Sequence, residues 1–298
     1  MKCKQRALAL LLVLALAAGL CHSVSAADAG DTRVTLGADL NAEEIAEVYR
    51  LFGVNRGDVE ELIVTNADER AYLGGLVSDA AIGSRAISCT YLEVLGPGNN
   101  ITVKSENIPS CTASMYISAL ATAGITDAKV IVAAPFEVSG TAALTGIYKA
   151  YEVITGEPLD ETAKEVSSQE LAVTADLAQQ IGDADSVEIV NQLKLILDET
   201  VKMSDDELRQ QIIDIAANYD VALTEAQIGQ LISLVRSLDK LDTNALLEKV
   251  RSVQDTLKQF LSLSEKAEGF TGAVQQFFHR VGETAVNVWN FIVGIFKK

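Results

Sequence analysis

Histidine is almost missing from this chain. Two occur in 298 residues, and only His279 lies beyond the first 26 residues. A Ser-His-Asp or Cys-His arrangement needs a well-placed base, which a lone histidine near the C-terminus does not readily supply. A multi-histidine metal site is excluded. Cysteine is also scarce: Cys3 and Cys21 fall in the leader described next, leaving Cys89 and Cys111. Two thiolates lack the third and fourth ligands of a zinc site, so no metal and no cofactor is expected. Positive charge is in deficit as well, with 24 Lys and Arg against 41 Asp and Glu. Such a balance repels nucleic acid and anionic lipid surfaces at long range, and no nucleic-acid partner is expected.

What is present begins with an export signal. Lys2, Lys4 and Arg6 make a positive start, and Ala7 to Leu20 are almost wholly apolar. That run suits a signal core and is too short to span a bilayer. Val24-Ser25-Ala26 offers small residues for cleavage, so residues 1–26 are expected to leave and the mature chain to start at Ala27, secreted. Lipidation at Cys21 is the rival, and the bulky Leu20 before it argues against that rival. Loss of three bases leaves 21 against 41 acids, a mature charge of −20.

Proline and glycine divide the remainder. All four prolines lie from Pro97 to Pro158, and fourteen of the twenty glycines precede residue 159. These residues punctuate turns, so the change marks a domain boundary near Pro158. Residues 27–158 alternate strand and helix signals. "RVTL", "ELIVT" and "AKVIVAA" read as strands, while "RAISCTYLEVL" and "NITVKS" around "GPGNN" read as a hairpin. Asn41 caps "AEEIAEVYRLF", which Gly53 ends. Asn66 starts a short helix, Ser110–Ala123 forms another capped by Gly124, and Ser139–Thr155 a third closed by Gly156. The natural packing is a two-layer α/β domain.

Residues 159–268 read as helical throughout, giving α+β overall with an all-α bundle after the α/β domain. Ser204-Asp-Asp-Glu207 and Thr224-Glu-Ala-Gln227 are capping boxes. Leu208, Ile212, Ile215 and Tyr219 make one stripe; Leu246, Val250, Val253, Leu257 and Phe260 make a seam for another helix. Residues 269–298 differ. Phe270 to Lys298 carries six of the sixteen aromatics and three bases against one acid. Its apolar face suits a helix that closes the bundle, or one that lies on a membrane surface.

The stretch "APFEVSGTAALTG", Ala134 to Gly146, has the strand–turn–helix setting of an anion site. Ser139, Gly140 and Thr141 are the candidate contacts. The glycines are six apart and no lysine follows, which departs from a nucleotide-binding loop. The competing reading is a tight joint: Ser139 or Thr141 caps the helix, and Ala142, Ala143 and Gly146 allow close contact with the sheet. Among the acids, Asp39, Glu69 and Glu137 lie near loops and are the candidates for paired-carboxylate hydrolysis. Cys89 and Cys111, 22 apart, either form a disulfide in an oxidising compartment or stay as buried thiols.

"VTLGADL", "TNADERAYLGG", "IGSRAIS", Asn107-Ile108, "MYISALATAGITDAKVIVAAPFEVSGTAALTGIYKAYE" and Thr155-Gly156 together resemble the YpuA-like family, secreted proteins of Gram-positive bacteria built on a domain of unknown function. The match covers about Val34 to Gly156. Where the family often has a bulky aromatic after the Asn-Ile element, Pro109 and Ser110 stand here. The resemblance implies an exported Gram-positive protein and brings no reaction, ligand or catalytic residue.

The leading expectation is a secreted, non-enzymatic binding or interaction protein at the bacterial cell envelope. One alternative is an acid-only hydrolase of cell-wall polymer. The other is association with a membrane surface through the C-terminal amphipathic helix.

Overall fold

The computed structural model describes residues 30–75, 82–140 and 142–262. The expected export signal, Thr141, His279 and the expected amphipathic C-terminal helix lie outside the described residues. No helix among the described residues is long and apolar enough to cross a membrane.

The N-terminal part holds a five-stranded mixed sheet. Its strands are β1 (Thr32–Gly37), β2 (Glu60–Val64), β3 (Cys89–Val94), β4 (Thr102–Glu106) and β5 (Ala128–Ala133), in the order β2-β1-β3-β5-β4. β1 and β2 are parallel, as are β4 and β5, and β3 runs antiparallel to both β1 and β5. Four strands therefore point the same way and end at one edge, where β3 begins.

The expected hairpin does not form, because β5 lies between β3 and β4. β5 is the most apolar strand, with Val130, Val132 and Ala133 at most 1% exposed. Pairing on both sides satisfies its backbone groups away from water, which an edge position would not.

Period-two alternation sends β-strand side chains to opposite faces. Cys89 and Tyr91 of β3 join Val34, Leu36, Ile131 and Ala133 under helix α1 (Ala42–Phe52), where Val48, Tyr49 and Phe52 are buried. Leu92 and Val94 face the other way, with Val130 and Val132, into the largest core cluster. That face is covered by α3 (Ala113–Thr122) and α4 (Ala143–Thr155); α2 (Asn66–Leu73) also touches α4.

Local signals explain where these helices start. Asn41 caps α1 in a full capping box with Glu44, and Gly53 ends it in the left-handed region. α2 begins at Asn66, as expected, and is capped by Thr65, because the Thr65 hydroxyl and Asp68 carboxylate satisfy each other's amides. α3 and α4 start at Ala113 and Ala143, later than Ser110 and Ser139, and neither has a side-chain cap hydrogen bond.

The helical part comprises α5 (Glu161–Ile181), α6 (Asp183–Leu195), the short α7 (Leu197–Thr200), α8 (Asp205–Ala217), α9 (Glu225–Leu238) and α10 (Thr243–Ser252). Both expected capping boxes are present, at Ser204/Glu207 and Thr224/Gln227. The Leu208 stripe lies in the helical core, with Tyr219 packed against it. The Leu246 seam divides: Leu246 and Val250 enter that core, while Val253 and Leu257 enter the core beneath the sheet with Phe260 against it. Leu171 and Ala175 of α5 enter the sheet-side core too.

A buried ion pair strengthens this junction. Lys194 of α6 donates to Glu170 of α5 at 2.7 Å, and both side chains are 1% exposed. Lys194 also donates to the Ser118 carbonyl and hydroxyl, each at 2.9 Å, while the Ser118 and Thr122 hydroxyls donate to Glu170 at 2.6 and 2.5 Å. Three helices thus share one network whose hydrogen bonds offset the cost of burying both charges.

Candidate functional site

Because four strands end where β3 begins, five connections meet along the carboxyl edge of the sheet. The backbone ties them together. Ala38 N donates to the Val64 carbonyl at 2.8 Å, Asp39 N to Ala86 at 3.2 Å, Ala134 N to Glu106 at 3.2 Å and Val138 N to Asn107 at 3.1 Å. In open sheets, ligand sites favour the crevice outside the carboxyl ends of strands.

At the β1–β2 end of this edge, three separated sequence segments lock together. Asp39, after β1, accepts from the Ala86 amide at 2.7 Å, and its own carbonyl accepts from Arg85 at 2.8 Å. Asn66 and Arg70, on α2, both donate to the Gly83 carbonyl, at 3.3 and 2.8 Å. Arg70 also donates to the Asn66 side-chain oxygen at 2.9 Å, which orients the amide. Asn66 then donates to Glu69 at 3.1 Å.

Glu69 is the chemical anomaly of this cluster. Its side chain is 1% exposed and lacks a cationic partner in direct contact among the described residues. Burial pushes its carboxyl up to about 7, against the lowering effect of the Asn66 hydrogen bond, and the charges of Asp39 and Asp68 push the same way. Asp39 itself is exposed. The structure therefore brings two of the three candidate acids into one electrostatic neighbourhood. Glu137, after β5, stands apart on the exposed turn beyond Phe136.

At the β5–β4 end, the Ser139-Gly140 turn sits over α3. Gly140 has φ +83°, and its carbonyl accepts from the buried Tyr116 hydroxyl at 2.6 Å and from the Ala143 amide at 2.9 Å. A Cβ there would stand 2.2 Å from Ile108 Cγ2 and 2.8 Å from the Tyr116 hydroxyl. Gly146, one turn into α4, would place a Cβ 2.4 Å from Thr35 Oγ1, so the helix lies directly on the sheet. The joint is tightly packed. Ser139 is not the cap of α4; Ala142 holds that position. Asn107, with φ +61°, donates to the Ala134 carbonyl at 2.7 Å and braces the turn. Phe136 remains 44% exposed at the tip.

The disulfide expectation is corrected. Cys89 and Cys111 are both free and buried. Cys89 belongs to the cluster under α1, and Cys111 to the cluster on the opposite face beside Tyr116. The sheet separates them. Burial pushes both thiols up to about 12, which keeps them protonated and poorly nucleophilic.

Comparison with known proteins decides the family. The family described as "Protein of unknown function (DUF1002)" matches residues 36–260. The chain belongs to the DUF1002 family. It is also similar to the uncharacterized protein YpuA of Bacillus subtilis (strain 168), at 38% identity over 92% of this chain and 93% of that one. No solved structure matches. The DUF1002 match runs from β1 past the end of α10, so it takes in the whole carboxyl edge.

Several members of this edge are not candidate site residues from sequence. Asn66, Arg70, Arg85 and Asn107 act through backbone carbonyls of distant segments, and no local pattern announces that. Asn107 carried one usable signal, as asparagine is favoured where a non-glycine residue takes positive φ.

Proposed function

We propose that this protein is exported and acts as a non-enzymatic binding protein at the bacterial cell envelope, with the carboxyl edge of its sheet as the contact surface. The observation that carries the reading is the convergence of five connections on that edge, with Phe136 exposed at one end and Arg85 at the other. An exposed aromatic and a guanidinium are side chains that interfaces favour.

Sedimentation of the chain from Ala27 onward with purified cell-wall material tests this. Phe136→Ala with Arg85→Ala is expected to weaken co-sedimentation about tenfold, a loss typical of two contact residues, and no soluble fragments should be released. Undiminished binding by the double variant overturns the reading.

One observation favours a second reading, an acid-only hydrolase of wall polymer. Glu69 holds its proton up to about neutral pH while Asp39 lies close enough to contribute to that shift. Glu69 would donate the proton, with Asp39 as the second acid of the pair. Fragment release that falls above about pH 7 and is lost in Glu69→Gln, with wall binding retained, would establish this reading in place of the first.

A further inference from the structure

A groove of about 370 Å³ opens between the C-terminal end of α3, the start of α5 and the connection from α9 to α10. It is remote from the carboxyl edge: α3 begins at that edge, and its ten residues carry the chain roughly 15 Å away. The floor is small and apolar, formed by Ala121, Ala123, Ala163 and Ala245 with Leu246. Side chains this short do not fill the space where three helix ends meet. The volume lies within the range of small-molecule sites.

The polar groups around the groove divide into committed and uncommitted ones. Asp160 accepts from the Ala163 amide at 2.8 Å and Asp242 from the Ala245 amide at 3.0 Å, each capping a helix whose positive end offsets its charge. The Thr122 hydroxyl is held by Glu170. Lys240 and Lys249 also line the groove, and both are exposed. Neither has an ion pair or a side-chain hydrogen bond among the described residues. Acid partners are abundant in a chain with 41 of them, yet both ammonium groups here stand without one.

The geometry points to a binding site for a small anionic amphiphile, an anionic head on an unbranched apolar stem. The stem lies on the alanine floor, and the head sits between Lys240 and Lys249. Charge complementarity selects the head, and the apolar alanine floor takes the stem.

Calorimetric titration of the chain from Ala27 onward with decanoate, below its micelle concentration, tests the site. Saturable binding at one site is expected, weakened by added salt. Lys240→Glu with Lys249→Glu should lower affinity at least about tenfold, a loss in keeping with removing two attractive charges and adding two repulsive ones. Lys202→Glu with Lys258→Glu makes the same change in net charge at exposed positions that do not line the groove, and should leave affinity unchanged. Decyltrimethylammonium, with the same stem and opposite charge, should not bind. Ala245→Phe fills the groove and should abolish binding with the circular dichroism spectrum preserved. If that variant does not fold, the lysine variants decide, since both positions are exposed. Absence of decanoate binding, equal affinity in the two lysine double variants, or equal binding of the cationic amphiphile overturns the proposal.

Discussion

Glu69 shows how one residue combines several environments. Its place on α2 follows from the capping of that helix, yet its burial follows from the segments carrying Asp39 and Gly83. The pH consequence has a definite sign. The folded carboxyl titrates at about 7, above its usual 4.5, so the unfolded chain gives up this proton first as pH rises. The group therefore lowers stability as pH rises from about 4.5 to about 7, and is neutral in effect below that window. In Glu69→Gln this slope should vanish, with the amide oxygen still accepting from Asn66. Urea unfolding at pH 5 and pH 8 checks it: the variant should gain on the native chain at pH 8 and not at pH 5.

The two cysteines lead to a second expectation at the same scale. Both thiols are buried on opposite faces of the sheet and held near 12. A thiol reagent should modify neither in the native protein and both after denaturation. Reductant should leave the melting temperature unchanged. Sequence spacing alone left this open, because a separation of 22 says nothing about which face of a sheet each residue meets. The alternation of β3 decides it for Cys89, and the route from β4 into α3 decides it for Cys111.

Individual elements were legible to different degrees. Caps built from adjacent residues are local, and Asn41, Ser204 and Thr224 form their boxes where the sequence places them. Ser204→Ala should destabilise by about 1 kcal/mol, the usual cost of losing such a cap, as read from denaturant unfolding. Strand pairing is not local. β3 and β4 look like a hairpin by their spacing, and β5 separates them because an apolar strand gains more from a central position than a short connection gains from direct closure. The Lys194–Glu170 pair is likewise invisible in the sequence, where each is an ordinary helical charge. Lys194→Met should cost about 3–5 kcal/mol by leaving Glu170 buried and unpaired. Adding Glu170→Gln should recover part of that loss, since a neutral amide oxygen still accepts from Ser118 or Thr122. Equilibrium unfolding of the single and double variants measures the difference.

For the molecule as a whole, one cluster of buried side chains runs from the sheet into the helices. Leu92 and Val130 share it with Leu171, Val187, Val253 and Leu257. Shared burial couples the parts energetically, so residues 30–262 should unfold in one cooperative transition, with matching midpoints by far-ultraviolet circular dichroism and tyrosine fluorescence. Two separated transitions would show instead that the helical part is stable by itself.

The candidate surface followed a similar division. Motif-bearing segments such as "VTLGADL", "TNADERAYLGG" and "APFEVSGTAALTG" were distinguishable one at a time, but their meeting at one edge depended on strand direction. Asp39 and Glu69 are legible as acids near loops; Asn66, Arg70 and Arg85 are not legible as site residues, because their remote partners are backbone carbonyls.

From sequence alone came the α+β class, the helical character after Pro158, the caps at Asn41, Ser204 and Thr224, the amphipathic stripes and the family resemblance. Each rests on periodicity, short-range hydrogen bonding or contiguous motifs, which a linear chain displays directly. Tertiary structure alone decided the strand order, the separation of Cys89 from Cys111, the burial that raises Glu69 and the pairing of Lys194 with Glu170. These depend on contacts between residues far apart in sequence, where desolvation and packing are properties of the assembled core and of no single segment.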